Sequence, residues 1–455
     1  MSFAPEFLSM FRAESSTRRV GTLFHLRSDE CSITGLGKQT ATFTRTTMKS
    51  VRDANGRLIR IGRYVSPWSW YDKDGDGRFE APALLMEGSS DNKALWSQDM
   101  SQTGTWQRNG SPTFQYQAAR LGALTFDRIT DSSTSVTQGV RQDFAASTFA
   151  TLFSKPYSFW IIQGDVTPAG GHAFYLFDNT AGVSRGSIIV NWINGAPTLS
   201  SLTGNFAYVD AWGLSSIGRR AFRICVQPNG LTSLTNVHSI RFDVAAVANQ
   251  TGDCYVGGFQ VEQDSVIPSS YILTTSAVGT RSVDQLTYPA LWGEVDISSY
   301  VRLIREPWMN ASGGHNFSHF LWAQGSSGGQ AQRYMAMLDA SRSAAASQVS
   351  YDGSTQHQVI AQSTFATGTV GQSIEFASQL IDPLFKPNAL LDVNGGLGMQ
   401  STTAIDFPFV SPHVMQNVLQ VGDAPWGLGN SVHAPIEELI LHRARLTMSQ
   451  LREVF

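Results

Sequence analysis

Apolar and polar positions alternate in short runs along most of the chain, and helical spacing is nearly absent. Ser239-Ile240-Arg241-Phe242-Asp243-Val244 alternates strictly, the period of a strand with one buried face. Residues 157–162, Tyr-Ser-Phe-Trp-Ile-Ile, are apolar at both parities and predict a central strand. Residues 173–178, 187–192 and 221–226 predict further strands. Asn194-Gly195 is a hairpin turn, because both residue types tolerate positive φ. Pro228-Asn229-Gly230 is another. In the second half, residues 317–322, 333–338, 347–351 and 414–422 repeat this grammar, with turns at Asp352-Gly353 and Asn394-Gly395-Gly396. Only residues 447–455 read as a helix. Short strands without intervening helices predict an all-β chain of antiparallel sandwiches or jelly rolls. The halves show no residue-level repeat, so they are expected to share architecture without sharing sequence.

Composition sharpens this. A chain of 455 residues makes two or three domains, at roughly 150 residues each. Charged residues are 15% of it and glycines number 41, which favours sandwiches over helical bundles. A net charge of −3 leaves no basic footprint for nucleic acid. Apolar runs fall short of the ~20 residues that span a bilayer, so no membrane insertion is expected. The first residues lack a charged region followed by an apolar core, so no secretory signal is expected.

Residues 42–106 carry four pieces in fixed order. They are Thr42-Phe43-Thr44-Arg45, the hairpin signal Asp53-Ala54-Asn55-Gly56, the step Tyr71-Asp72 into an Asp/Gly loop, and Ala83-Leu84-Leu85-Met86-Glu87-Gly88 with Asn92-Lys93-Ala94-Leu95-Trp96-Ser97 behind it. Further on, Gly257-Gly258-Phe259-Gln260-Val261-Glu262 precedes Ser270-Tyr271-Ile272-Leu273-Thr274-Thr275. Near the end, Ile436-Glu437-Glu438-Leu439-Ile440-Leu441 precedes Ala444-Arg445-Leu446-Thr447-Met448-Ser449-Gln450-Leu451. In this order the pieces resemble a family of bacteriophage virion proteins with concanavalin A-like, carbohydrate-binding-type β-sandwich domains. That family shows an F-T-R opener, an L-L-x-E step, and a G-x-Q-L-E strand followed by S-Y-I-x-T. Where it prefers N-L-L-x-x-S-E, this chain has Ala94-Leu95-Trp96-Ser97-Gln98 and lacks the glutamate.

The resemblance implies a layout. Residues 1–40 lie outside the sandwiches as an N-terminal arm, either docking onto the virion or frayed. Residues 41–90 form a leading segment with the hairpin and the Asp/Gly loop. Residues 91–285 form a first sandwich of carbohydrate-binding-module type. Residues 286–455 form a second, laminin-G or concanavalin A-like sandwich that closes on a short C-terminal helix. Cys225 and Cys254 fall in strand-like runs and are expected to be core thiols; with Cys31 they show no metal spacing. Assembly in a reducing cytosol disfavours a disulfide between them.

The sharpest chemical motif is Asp72-Lys73-Asp74-Gly75-Asp76-Gly77-Arg78-Phe79-Glu80. Asp72, Asp74 and Asp76, the Arg78 carbonyl and Glu80 match the front half of an EF-hand loop, and their hard oxygens would select calcium. The twelfth position is Ala83, so the bidentate carboxylate is missing unless Glu80 or Glu87 replaces it. A polar β-turn without an ion is the plainer reading. Glu294 and Asp296 supply only two of three carboxylates of a one-strand glycosidase pattern, Ser298 taking the third place. The scattered histidines lack zinc spacing. No catalytic residue is therefore assigned, and the chain is expected not to be an enzyme. Trp212 and Trp426 lie in loop-like contexts and are the candidate glycan platforms, with packing on their own sandwich or on a neighbouring subunit the plainer reading, whereas Trp160 and Trp322 fall in apolar strands expected to be core.

The expectation is thus a structural protein of the particle exterior, as a tail fibre, head fibre or decoration subunit. It would be assembled in the host cytoplasm, form homo-oligomers, touch other virion proteins and meet host-surface polysaccharide. A dedicated glycan receptor-binding protein is the first alternative; a glycoside hydrolase is the second, disfavoured by the incomplete carboxylate set.

Overall fold

The computed structural model describes residues 22–27, 32–35, 42–152, 155–263, 267–289, 297–310, 319–325, 333–339, 343–352, 355–364, 367–381, 388–393, 396–397, 418–421 and 434–442. The chain is all-β: among the described residues there is no α-helix, and Pro307–Asn310 is a short 3-10 turn. The expected helix at 447–455 lies outside the described residues.

Residues 105–261 build two six-stranded antiparallel sheets around one core. The first sheet runs, in spatial order, Thr113–Leu121, Leu124–Asp131, Gly252–Val261, Tyr157–Gln163, Arg220–Gln227 and Phe206–Leu214. The second runs Ala196–Thr203, Val183–Ile193, His172–Asp178, His238–Asp243, Gly139–Phe144 and Gln107–Asn109. Their inner faces meet through Trp106, Phe159, Phe174, Phe242 and Phe259, with Phe159 and Phe174 at 3.9 Å between ring centroids. This is a β-sandwich. Cys225 and Cys254 are buried, unpaired thiols within it, as expected; burial pushes the Cys225 thiol up to about 12.

Strand Tyr157–Gln163 shows why both parities are apolar. Tyr157, Phe159 and Ile161 enter the core between the sheets. Trp160 and Ile162 point the other way, into a second cluster with Leu58, Trp212, Ala221 and Tyr271. Period-two geometry sends alternate side chains to opposite faces, so the outer face of this sheet must also be covered. The cover is the hairpin Lys49–Arg52 with Leu58–Ile61, together with the segment around Tyr271. The turn Asp53–Gly56 is tied by Asp53 Oδ1, which accepts from the backbone of Asn55 and Arg57 at 2.9 and 2.8 Å. Gly56 has φ +71°, and a Cβ there would lie 2.2 Å from the Phe79 ring. Glycine is required by that approach as much as by the turn.

Two further sheets hold strands from distant parts of the chain. A nine-stranded sheet contains Ser32–Gly35, Thr22–Arg27, Ala434–His442, Ile297–Ile304, Ser373–Ile381, Asn388–Val393 and Gly396–Leu397; Trp68–Tyr71 and Ala81–Met86 join it through Ala434–His442. A seven-stranded sheet contains Thr355–Thr364, Ser343–Asp352, Arg333–Asp339, His319–Gly325, Val418–Val421, Gln285–Pro289 and Thr42–Thr44. The leading segment therefore does not stand alone. Its strand Thr42–Thr44 pairs with Gln285–Pro289, and Ala81–Met86 pairs with Ala434–His442. Within the stretch expected to be an arm, Thr22–Arg27 pairs with Ala434–His442, Leu26 opposite Leu439, and is sheet.

Candidate functional site

Arg45 and Glu87 of the leading pieces meet Lys49, Arg281 and Asp284 in one buried cluster of charges. Arg45, Lys49, Glu87, Arg281 and Asp284 are each 3% exposed or less. Arg45 Nη1 donates to Asp284 Oδ1 at 2.9 Å, and Lys49 Nζ to Asp284 Oδ2 at 2.5 Å. Lys49 Nζ also lies 2.8 Å from Glu87 Oε2, which Arg281 approaches at 3.2 Å. Glu87 Oε1 accepts from the Ser270 backbone at 2.7 Å. Beside this cluster, Glu262 is fully buried and accepts from Ser90 Oγ and Ser269 Oγ at 2.5 and 2.6 Å. Burial raises its carboxyl above the ordinary range, against the pull of those hydrogen bonds and of Arg281. Asn92 ties the strands together, donating to the Phe259 and Ile272 carbonyls and accepting from Val261 N. Charges survive in such a setting only when paired and hydrogen-bonded on all sides, so each residue fixes the position of the next.

A cavity of about 50 Å³ opens beside the cluster, lined by Arg52, Glu87, Asp210, Arg223 and Glu306 with Tyr71, Trp212 and Tyr271. Arg52 Nη2 donates to both Asp210 oxygens at 2.8 Å. Its guanidinium lies over Trp212, Phe79 and Tyr71, at 4.1, 5.0 and 5.7 Å from the ring centroids. Trp308 Nε1 donates to Glu306 Oε2 at 2.6 Å. Burial pushes the Glu306 carboxyl up to about 8, helped by Asp210 and Glu87 and opposed by Trp308 and Arg52. Glu306 therefore holds its proton at neutral pH beside the Arg52–Asp210 ion pair. One water needs roughly 10–15 Å³ measured this way, so the cavity has room for a few waters and not for a sugar ring.

The acidic loop closes on itself. Asp72 Oδ1 and Oδ2 accept from Gly75 N and Gly77 N at 2.8 Å, Asp74 Oδ1 from Asp76 N at 3.1 Å, and Asp76 Oδ1 from Arg78 N at 2.7 Å. One ligand oxygen of each of Asp72, Asp74 and Asp76 lies within 4.8 Å of the others, the spacing a cation would use. Asp74, Asp76 and Glu80 are exposed. At the twelfth place Ala83 is buried in a strand. Glu87 is engaged by Lys49 and Arg281, so it does not replace the missing ligand.

Trp212 presents no open face. It lies in strand Phe206–Leu214, 7% exposed, with Arg52 over its ring, the Trp160 edge against it, and its Nε1 donating to Asp210 at 2.7 Å. Asp and Gly beside it suggested a loop, but the strand pairs with Arg220–Gln227 and shifts register between Ala211 and Leu214. Trp160 is core, as expected. Trp426, Glu294 and Asp296 lie outside the described residues. Lys49, Arg52, Asp284 and Glu306 were not singled out by sequence.

No family model matches the chain, and no curated protein matches it. Among solved structures, it is similar to the CBM40 of a Ruminococcus gnavus IT-sialidase bound to α2,6 sialyllactose, at 15% identity and TM-score 0.26, over 36% of this chain and 84% of that one. A bifunctional GH43-CE protein of Bacteroides eggerthii is similar at 11% identity and TM-score 0.23, over 88% of this chain and 48% of that one. A Trypanosoma rangeli sialidase in complex with sialic acid is similar at 10% identity and TM-score 0.23, over 95% of each. The expectation of a chain without enzymatic function is corrected by these GH43 and sialidase neighbours and is not retained. At such identities and scores the likenesses assign no reaction to this chain.

Proposed function

We propose that the chain is a structural protein of a bacteriophage particle's exterior, built from two concanavalin A-like sandwiches, that works through contacts between subunits and with host-surface glycan. The observation that carries this reading is the convergence of the family-like pieces. Arg45 of the opener, Glu87 of the L-L-x-E step, and Glu262 and Ser270 of the closing pieces form one buried assembly with Lys49, Arg281 and Asp284. Some of the pieces, more than two hundred residues apart in sequence, thus meet in one place, which supports a shared architecture. Sandwich proteins of this form expose broad sheet faces and loops, suited to neighbours and to sugars. Homo-oligomers are the expected assembly, with residues 1–21 contributing to docking. Mass spectrometry of gradient-purified particles tests the reading: the chain is expected in stoichiometric amount, and its absence from intact particles would remove the proposal.

A further inference from the structure

The turn at residues 62–65, after the leading hairpin, is held from beneath and strained on top. Tyr64 has φ 61° and is 62% exposed. A bulky side chain at positive φ is an uncommon and costly arrangement, and such strain gathers where a side chain has work to do. Arg45, 1% exposed, anchors the turn: Nη2 donates to the Gly62 and Val65 carbonyls at 2.7 and 3.2 Å, while Tyr64 N donates to the Arg45 carbonyl at 3.2 Å. Nη1 of the same guanidinium is locked to Asp284, and Nε donates to the Thr47 carbonyl at 2.9 Å. A fixed turn therefore displays the ring before any partner arrives, which lowers the entropic cost of binding.

The surroundings state the partner's chemistry. Met48 and Val65 are 46% and 48% exposed, and Arg60 Nη2 reaches Met48 Sδ at 3.5 Å. Arg60 and Arg63 are exposed and have no carboxylate partner among the described residues. Two guanidinium groups without a carboxylate partner among the described residues thus stand within four positions of an exposed ring, on a chain of net charge −3. An aromatic face takes the C–H face of a sugar ring, and a guanidinium takes a carboxylate or sulfate in a bidentate grip. We propose that Tyr64, Arg60 and Arg63 bind an acidic polysaccharide. The proposal rests on the glycan-facing reading above and gives it a charge class and a site. An acidic protein partner fits less well, because a stable interface needs about 800 Å² on each side, and the apolar surface here is a few side chains on one turn.

The test is biolayer interferometry of the full chain on hyaluronan, dextran sulfate and uncharged dextran, in about 0.15 M salt, where long-range charge attraction is screened. Binding to a charged polymer and not to dextran is expected; which charged polymer binds tells carboxylate from sulfate recognition. Tyr64→Gly suits the positive φ, so the fold is kept while the ring is lost. It is expected to weaken binding about tenfold, as is the Arg60→Gln, Arg63→Gln pair. Unchanged binding of Tyr64→Gly would overturn the proposal, since charge alone would then suffice. A changed oligomeric state of Tyr64→Gly in ultracentrifugation would overturn it in favour of a contact between copies. Equal binding to dextran, untouched by either variant, would sink this site and leave the broader glycan reading standing. Binding to none of the three polymers would sink the site and leave the particle reading to mass spectrometry.

Discussion

Glu306 couples stability to pH. Its carboxyl titrates near 4.5 when exposed and at about 8 in the folded chain, chiefly through burial. Between those values the folded state binds the extra proton, so stability is greatest below the lower value and falls as pH rises through the window. Glu306→Gln keeps an acceptor for Trp308 Nε1 and carries no charge to bury. Urea unfolding at about pH 6 and pH 9 is expected to show wild type losing on the order of a few kcal/mol and the variant losing clearly less. Equal losses would mean that another group sets the dependence. Lys49 makes a second residue-scale case, because its loss leaves Glu87 and Asp284 short of one buried cation. Lys49→Met, similar in bulk, is expected to cost about 3–5 kcal/mol in denaturant titration. A cost under about 1 kcal/mol would show that Arg45 and Arg281 suffice.

At the scale of elements, the sequence disclosed what local chemistry dictates. The alternation in 239–244 and the Asn194-Gly195 turn, with φ 52° and 81°, are where they were expected. Strands Thr22–Arg27, Thr355–Thr364 and Ser373–Ile381 escaped: the first and last pair with strands far along the chain, and Thr355–Thr364 is a polar-rich edge strand held by the preceding strand Ser343–Asp352. The buried charges were illegible for the same reason: Lys49 and Asp284 are 235 positions apart, and neither looks unusual locally. Trp212 was misread because adjacent Asp and Gly mark loops on average, while here Asp210 serves as the indole's and Arg52's partner. The acidic loop gives an element-scale prediction. Asp72→Ala removes two hydrogen bonds to backbone N–H groups and is expected to lower stability by about 1–3 kcal/mol, in chelator as in calcium. Melting scans of wild type and Asp74→Ala check the ion: a rise in about millimolar calcium, lost in the variant, would establish a weak calcium site of the kind found in extracellular modules.

At the scale of the molecule, chain ends and middle share sheets. Thr22–Arg27 and Ile297–Ile304 flank Ala434–His442, so a strand late in the sequence is held by one partner from near its start and one from its middle. Deleting residues 1–39 removes two strands and bares an edge of Ala434–His442. Lower solubility and a lower melting temperature are expected, because an open edge invites pairing with other chains. Deleting only residues 1–21 leaves that pairing intact, and the proposed docking role predicts a folded chain that fails to enter particles. The central claim, an exterior protein meeting its neighbours and host glycan, is tested most directly by a cryo-electron microscopy reconstruction of the particle. The sandwich of residues 105–261 is expected to fit density on the outer surface, with Tyr64 facing solvent and a neighbouring copy in contact. A chain found inside the particle, or missing from it, would rule out an exterior role.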